Sequence, residues 1–90
     1  MKIKITNAFK KFAKKLMHNQ IELVEDAIDK IAKDPEVGEL KKGDLAGVRV
    51  YKFHIHKQLM LLAYQHSKKE LVLLSLSTHE NFYRDLKNRR

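Results

Sequence analysis

A chain of 90 residues without cysteine makes one domain with a modest core and excludes disulfides, thiolate metal sites and a cysteine nucleophile. Its formal net charge of +8 points to a polyanion or an acidic protein as partner. The longest apolar run, Leu59 to Tyr64, is far too short to cross a bilayer, and Met1 to Ile5 has no signal-peptide h-region, so a single cytoplasmic domain, 1–90, is expected.

The charge is unevenly spread. Residues 1–20 carry lysines and no acid, residues 21–40 carry a run of carboxylates against Lys30 and Lys33, and the remainder is basic again. One acidic segment is thus set within a basic protein.

In chain order, Lys2 to Thr6 alternates with Ile3 and Ile5 on one face, which predicts a short strand. Thr6 or Asn7 offers an N-cap, and Phe9, Phe12, Ala13 and Leu16 follow at helical spacing. Lys10, Lys11, Lys14 and Lys15 take the other side, giving an amphipathic helix with a lysine face. Asn19 with Glu22 reads as a capping-box start for a second helix, whose apolar stripe is Val24, Ala27, Ile28, Ile31 and Ala32. Asp34-Pro35 ends it, and a helical hairpin results. Val37 to Asp44 is a polar connection. Strands follow at Val48–Ile55, Leu59–Gln65 and Glu70–Ser77, separated by tight turns, and short connections make them antiparallel neighbours. Ser77 with Glu80 starts a last helix in which Phe82 and Leu86 pack at i, i+4. The fold class is α+β: an N-terminal strand and helical hairpin on a mostly antiparallel four-stranded sheet, closed by a short C-terminal helix.

Two stretches carry the chemistry. His79 falls at the junction of the last strand and last helix, and Tyr83 shares a helix face with it four residues on. Arg84 follows as a phosphate-binding cation. Lys52 and His54 are two apart on a strand and point to one face. Val48 and Val50 share that face, so either a bulge resets the alternation or the face grades from core to site. Arg49 lies opposite if the strand is regular. His56 and Lys57 occupy the turn. No helical H-x3-H or HExxH spacing occurs, so no metal or other cofactor is expected.

The element order, the run Asp44-Leu45-Ala46-Gly47-Val48-Arg49-Val50-Tyr51-Lys52-Phe53 and the ending His79-Glu80-Asn81-Phe82-Tyr83-Arg84-Asp85-Leu86-Lys87 resemble the RelE/ParE superfamily of bacterial type II toxins. The resemblance implies a toxin neutralised by a small acidic antitoxin that wraps around it. RelE-like members cleave mRNA on the ribosome; ParE-like members instead inhibit DNA gyrase by protein contact. The YafQ-like toxins have a Thr-His pair where Thr78-His79 stands, which marks His79 as the first catalytic candidate. His54 is the second acid/base group, and Tyr83 either stacks on the substrate or packs beside Phe82. Lys52, Arg84 and Arg49 are the phosphate-binding candidates. One departure stands out: the strand Leu59–Tyr64 has no cation where the best-known RelE-like sites carry an arginine, so a histidine-based site is the closer match.

Overall fold

The computed structural model describes residues 2–43 and 47–81. The elements are β1 (Lys2–Ile5), α1 (Asn7–Ala13), α2 (His18–Lys33), β2 (Glu39–Leu40), β3 (Arg49–Ile55), β4 (Gln58–His66) and β5 (Glu70–Thr78). They form one five-stranded sheet in the order β1-β5-β4-β3-β2. β1 runs parallel to β5, and every other pair is antiparallel. The α+β class and the helical hairpin match expectation, but the sheet has five strands rather than four. β2 is the addition: two residues are too few to show a period, so Val37 to Asp44 reads as a plain connection.

Helices α1 and α2 cover one face of the sheet. Phe9, Val24, Ala27 and Ile31 pack there on Ile55, Met60, Leu62, Tyr64, Leu71, Leu73 and Leu76. The hairpin stripe thus lands where its spacing placed it, and burying a Leu or Ile this fully contributes about 1.5–3 kcal/mol. The opposite, outer face holds a second cluster of Val50, Leu61 and Ala63, against which Val48 and Leu74 pack. β4, the central strand, is buried from Met60 to Tyr64, as an element apolar on both faces requires.

The first cap is one of the two expected, and the other two differ from expectation by one or two residues. Thr6 is the N-cap of α1; its Oγ1 accepts from Phe9 N at 3.2 Å and donates to Leu74 O at 2.6 Å. The N-cap of α2 is Met17 rather than Asn19, with the Gln20 side chain accepting from Met17 N at 2.8 Å. This frees Glu22 to pair with His18, 3.3 Å away at i, i+4. At the end of β5 the cap is Thr78, not Ser77: Asn81 N donates to Thr78 Oγ1 at 3.2 Å, and residues 79–81 are helical. The expected packing of Phe82 and Leu86 lies outside the described residues.

Candidate functional site

The sheet register decides which candidates meet. β3 pairs with β4 without interruption from Arg49↔Tyr64 to Ile55↔Gln58. The strand is therefore regular, and its outer face runs Val50, Lys52, His54, from buried to exposed. The face grades from core into site; no bulge intervenes in β3.

A bulge does occur one strand further on. β5 pairs through Tyr64↔Leu73 and then Ala63↔Ser75, leaving Leu74 without a partner on β4. An extra residue inverts the parity of everything after it. Leu71 and Leu73 face the helices, and beyond the bulge Leu76 does so. Ser77 consequently lies on the outer face, opposite Leu61, whose other neighbour is Lys52. The next row is His54 opposite Leu59; the β4–β5 pairing ends at Met60↔Thr78, and His79 opens the helical turn that follows. Lys52 is thus separated from the Ser77 backbone by one intervening strand, about 9.6 Å across two strand spacings. That gap suits a strand of substrate lying between groups on either side. His54, Lys52 and His79 are all exposed. Tyr83 and Arg84, the remaining candidates, lie outside the described residues.

Arg49 belongs elsewhere. It points to the helix face, where its Nη1 donates to Gly38 O at 2.9 Å and Glu36 O at 3.2 Å. Tyr64 works beside it: its hydroxyl accepts from Gly38 N at 2.9 Å and donates to Pro35 O at 2.7 Å. Arg49 and Tyr64 together clamp the loop between α2 and β2, so Arg49 is removed from the phosphate-binding set. A guanidinium holding two backbone carbonyls on one face cannot also meet a phosphate on the other. Burial raises the Tyr64 phenol above its ordinary value, the Gly38 amide and Arg49 opposing that rise.

The electrostatics at the site are one-sided. From Leu45 to Lys69 the sequence has no Asp or Glu. The nearest described carboxylate on the β2 side is Glu39, opposite Val50. It is held below the usual carboxylate range by a hydrogen bond from Lys41 at 3.1 Å, by the charge of Lys41 and by that of Lys52. Among the described residues, no group of three or more His, Cys, Asp or Glu side chains is placed to hold a metal ion, and no helix is long and apolar enough to cross a membrane. Two open clefts, of about 330 and 490 Å³, lie at the opposite end of the sheet around His66 and Ser67. They are remote from Lys52 and His54.

The sequence pattern alone missed the bulge that turns Ser77 outward. The stretch Leu71-Val-Leu-Leu-Ser-Leu contains its only trace: the apolar alternation changes phase at Leu73-Leu74.

Comparison with known proteins follows the same lines. The ParE-like toxin family model, of type II bacterial toxin–antitoxin systems, matches residues 3–87. No curated protein matches the chain. Among solved structures, the RelBE2 toxin–antitoxin complex of Mycobacterium tuberculosis matches with a TM-score of 0.71 at 20% identity, over 87% of this chain and 96% of that one. The YoeB/ParE toxin of Agrobacterium tumefaciens matches at 0.67 and 23% identity, over 88% and 99%. The intact RelBE toxin–antitoxin complex of E. coli matches at 0.66 and 15%, over 84% and 93%. At these identities the likeness is one of fold.

Proposed function

Because this chain belongs to the ParE-like toxin family of type II toxin–antitoxin systems, within the RelE/ParE superfamily, we propose that it is a ribosome-dependent mRNA endoribonuclease held in check by an acidic antitoxin. The observation that carries this reading is the register: Lys52 and His54 on β3 and Ser77 near the end of β5 share the outer face at one end of the sheet, and His79 follows Ser77 by two residues. RNA cleavage of this kind needs a base, an acid and cations, and no metal. One imidazole takes the proton from the ribose 2′-OH as its oxygen attacks the adjacent phosphorus; the other protonates the departing 5′-oxygen. The P–O5′ bond breaks, leaving a 2′,3′-cyclic phosphate and a free 5′-hydroxyl. His79 and His54 are the proton-transfer pair, since imidazole titrates near neutrality. Lys52 and Arg84 stabilise the charge that builds on the phosphate, and Tyr83 stacks on an unpaired base. Two of the superfamily structures above are described as toxin–antitoxin complexes, which supports an antitoxin as the natural partner.

A specific observation keeps a second reading in play. β4 between the two histidine-bearing strands is buried and uncharged from Met60 to Tyr64, so it brings no cation to the site. A ParE-like toxin acting on DNA gyrase through protein contact needs none, and there the exposed faces of α1 and α2 would carry activity.

Substitution of His79 separates the two. Primer extension on a translated reporter after brief expression should show cuts within the reading frame for wild type and none for His79→Ala, with thermal stability retained because His79 is exposed. Growth arrest by both proteins on intact mRNA would contradict the nuclease reading.

A further inference from the structure

The pairing of β5 with β4 stops at Met60↔Thr78, so His79 is the first residue of this stretch to leave the sheet, and residues 79–81 form a helical turn. A strand ladder fixes its residues by backbone pairing at each step; past Thr78 that restraint is gone. His79 and Glu80 are exposed, so burial does little to replace it. A side chain acts at the junction instead: Thr78 Oγ1 accepts a hydrogen bond from Asn81 N at 3.2 Å. The spacing, i to i+3, is that of an N-cap and the third helical residue, and the bond closes the chain around His79 and Glu80. Threonine suits the place twice over. Its β-branched side chain fits the last rung of a strand and is stiff at χ1, and its hydroxyl supplies the acceptor. Thr78 is not itself on the outer face. It pairs with Met60, which packs in the core beneath the helices, whereas its neighbour Ser77 lies opposite Leu61 on the outer side.

We propose that Thr78 is a positioning residue for cleavage: by capping the turn that opens at His79, its hydroxyl fixes where the His79 backbone leaves the sheet and so what the imidazole reaches. The inference rests on the nuclease reading, in which His79 transfers a proton. Such a group must lie within hydrogen-bond reach of the proton it moves, and a displacement of about 1 Å costs on the order of a hundredfold in rate. A bond of modest worth to stability therefore has a large effect when the next residue along the chain is the one that must be placed. The β4–β5 turn offers a matched comparison. There Ser67 Oγ accepts from Glu70 N at 3.2 Å and from Lys69 N at 3.4 Å. That turn follows His66, at the opposite end of β4 from Met60, and takes no part in the site.

The test measures cleavage of a reporter mRNA on programmed ribosomes by the purified full chain, as wild type, Thr78→Val, Thr78→Ser and Ser67→Ala. Valine keeps the branched shape and strand preference of threonine and removes the acceptor. Thr78→Val should lower kcat about tenfold to a hundredfold with KM nearly unchanged, the pattern of an interaction that matters in the transition state. Thr78→Ser restores the acceptor and should recover most of the rate, while Ser67→Ala should cleave like wild type. Thr78→Val and Ser67→Ala should lose comparable stability in urea unfolding, so that the difference in rate reports position rather than folding. Native-state hydrogen exchange should show the Asn81 amide less protected in Thr78→Val and restored in Thr78→Ser. Wild-type kcat in Thr78→Val would overturn the proposal. So would equal losses in the valine and serine variants, a change confined to KM, or unchanged protection of Asn81. Failure of this inference appears in variants of a protein that cleaves; failure of the nuclease reading appears in a wild type that does not, and removes both.

Discussion

Tyr64 and Gly38 show how single residues fix the geometry behind the site. The Tyr64 hydroxyl is both donor and acceptor in a buried position, and the space at Gly38 is so tight that an added Cβ would sit 2.6 Å from that oxygen. Only glycine lets the loop approach the ring this closely. Tyr64→Phe strands the buried Gly38 N–H and the Pro35 carbonyl, and should lower stability by about 1–3 kcal/mol in urea unfolding. It should also change the alkaline limb. The folded-state phenol titrates above its ordinary value of 10.0, so its neutral form is favoured by folding. That contribution is fully present below pH 10 and is lost as pH rises through the higher folded value. Wild type should therefore lose stability in strongly alkaline solution through a transition that Tyr64→Phe lacks; identical alkaline limbs would contradict this. Arg49 teaches the complementary lesson. Its charge suggested phosphate, but its position on the odd-numbered face of β3 committed it to the Glu36 and Gly38 carbonyls.

At the level of elements, the bulge in β5 controls the candidate site. Leu74 is the unpaired residue, and by inverting the parity it places Ser77 on the face of Lys52 and His54. Inserting one alanine between Leu76 and Ser77 inverts the parity again beyond the core residues. Such a variant should keep Leu71, Leu73 and Leu76 buried and melt close to wild type, yet lose mRNA cleavage; full cleavage would remove the bulge from the account. Much of the fold was legible beforehand because its signals are local. The 3.6-residue stripe of α2 and the Pro35 stop marked the hairpin, and the apolar run of β4 marked the sheet centre. What escaped reading depends on non-local pairing. β2 exists only because Glu39 and Leu40 find Val50 and Arg49, and the bulge shows itself only against β4. The caps at Met17 and Thr78 differ for a local reason, since several residues near each helix start can cap. The alternation of β3 placed Lys52 and His54 together without help from the structure. That Ser77 lies on the same face as Lys52 could not be known until the register was fixed.

Across the whole molecule, charge is unevenly spread. The lysines of α1 are exposed, as are Glu22, Glu25, Asp26 and Asp29 on α2, while the outer face at the His54 end meets solvent with cations and imidazoles. A polyanion would be drawn to the lysines of α1 and to Lys52 and Lys57 rather than to the acidic stretch of α2. The proposal that the outer face at the His54 end cleaves RNA is the one to test first. The most direct measurement incubates purified protein, without added metal beyond what ribosomes require, with ribosomes programmed on a reporter mRNA, and maps the new ends. The account predicts cuts within the translated frame, each bearing a 2′,3′-cyclic phosphate, abolished by His79→Ala and absent when the mRNA is offered without ribosomes. Intact mRNA from the same preparation, alongside inhibition of gyrase supercoiling, would contradict it and move the activity from the sheet end to the helical hairpin.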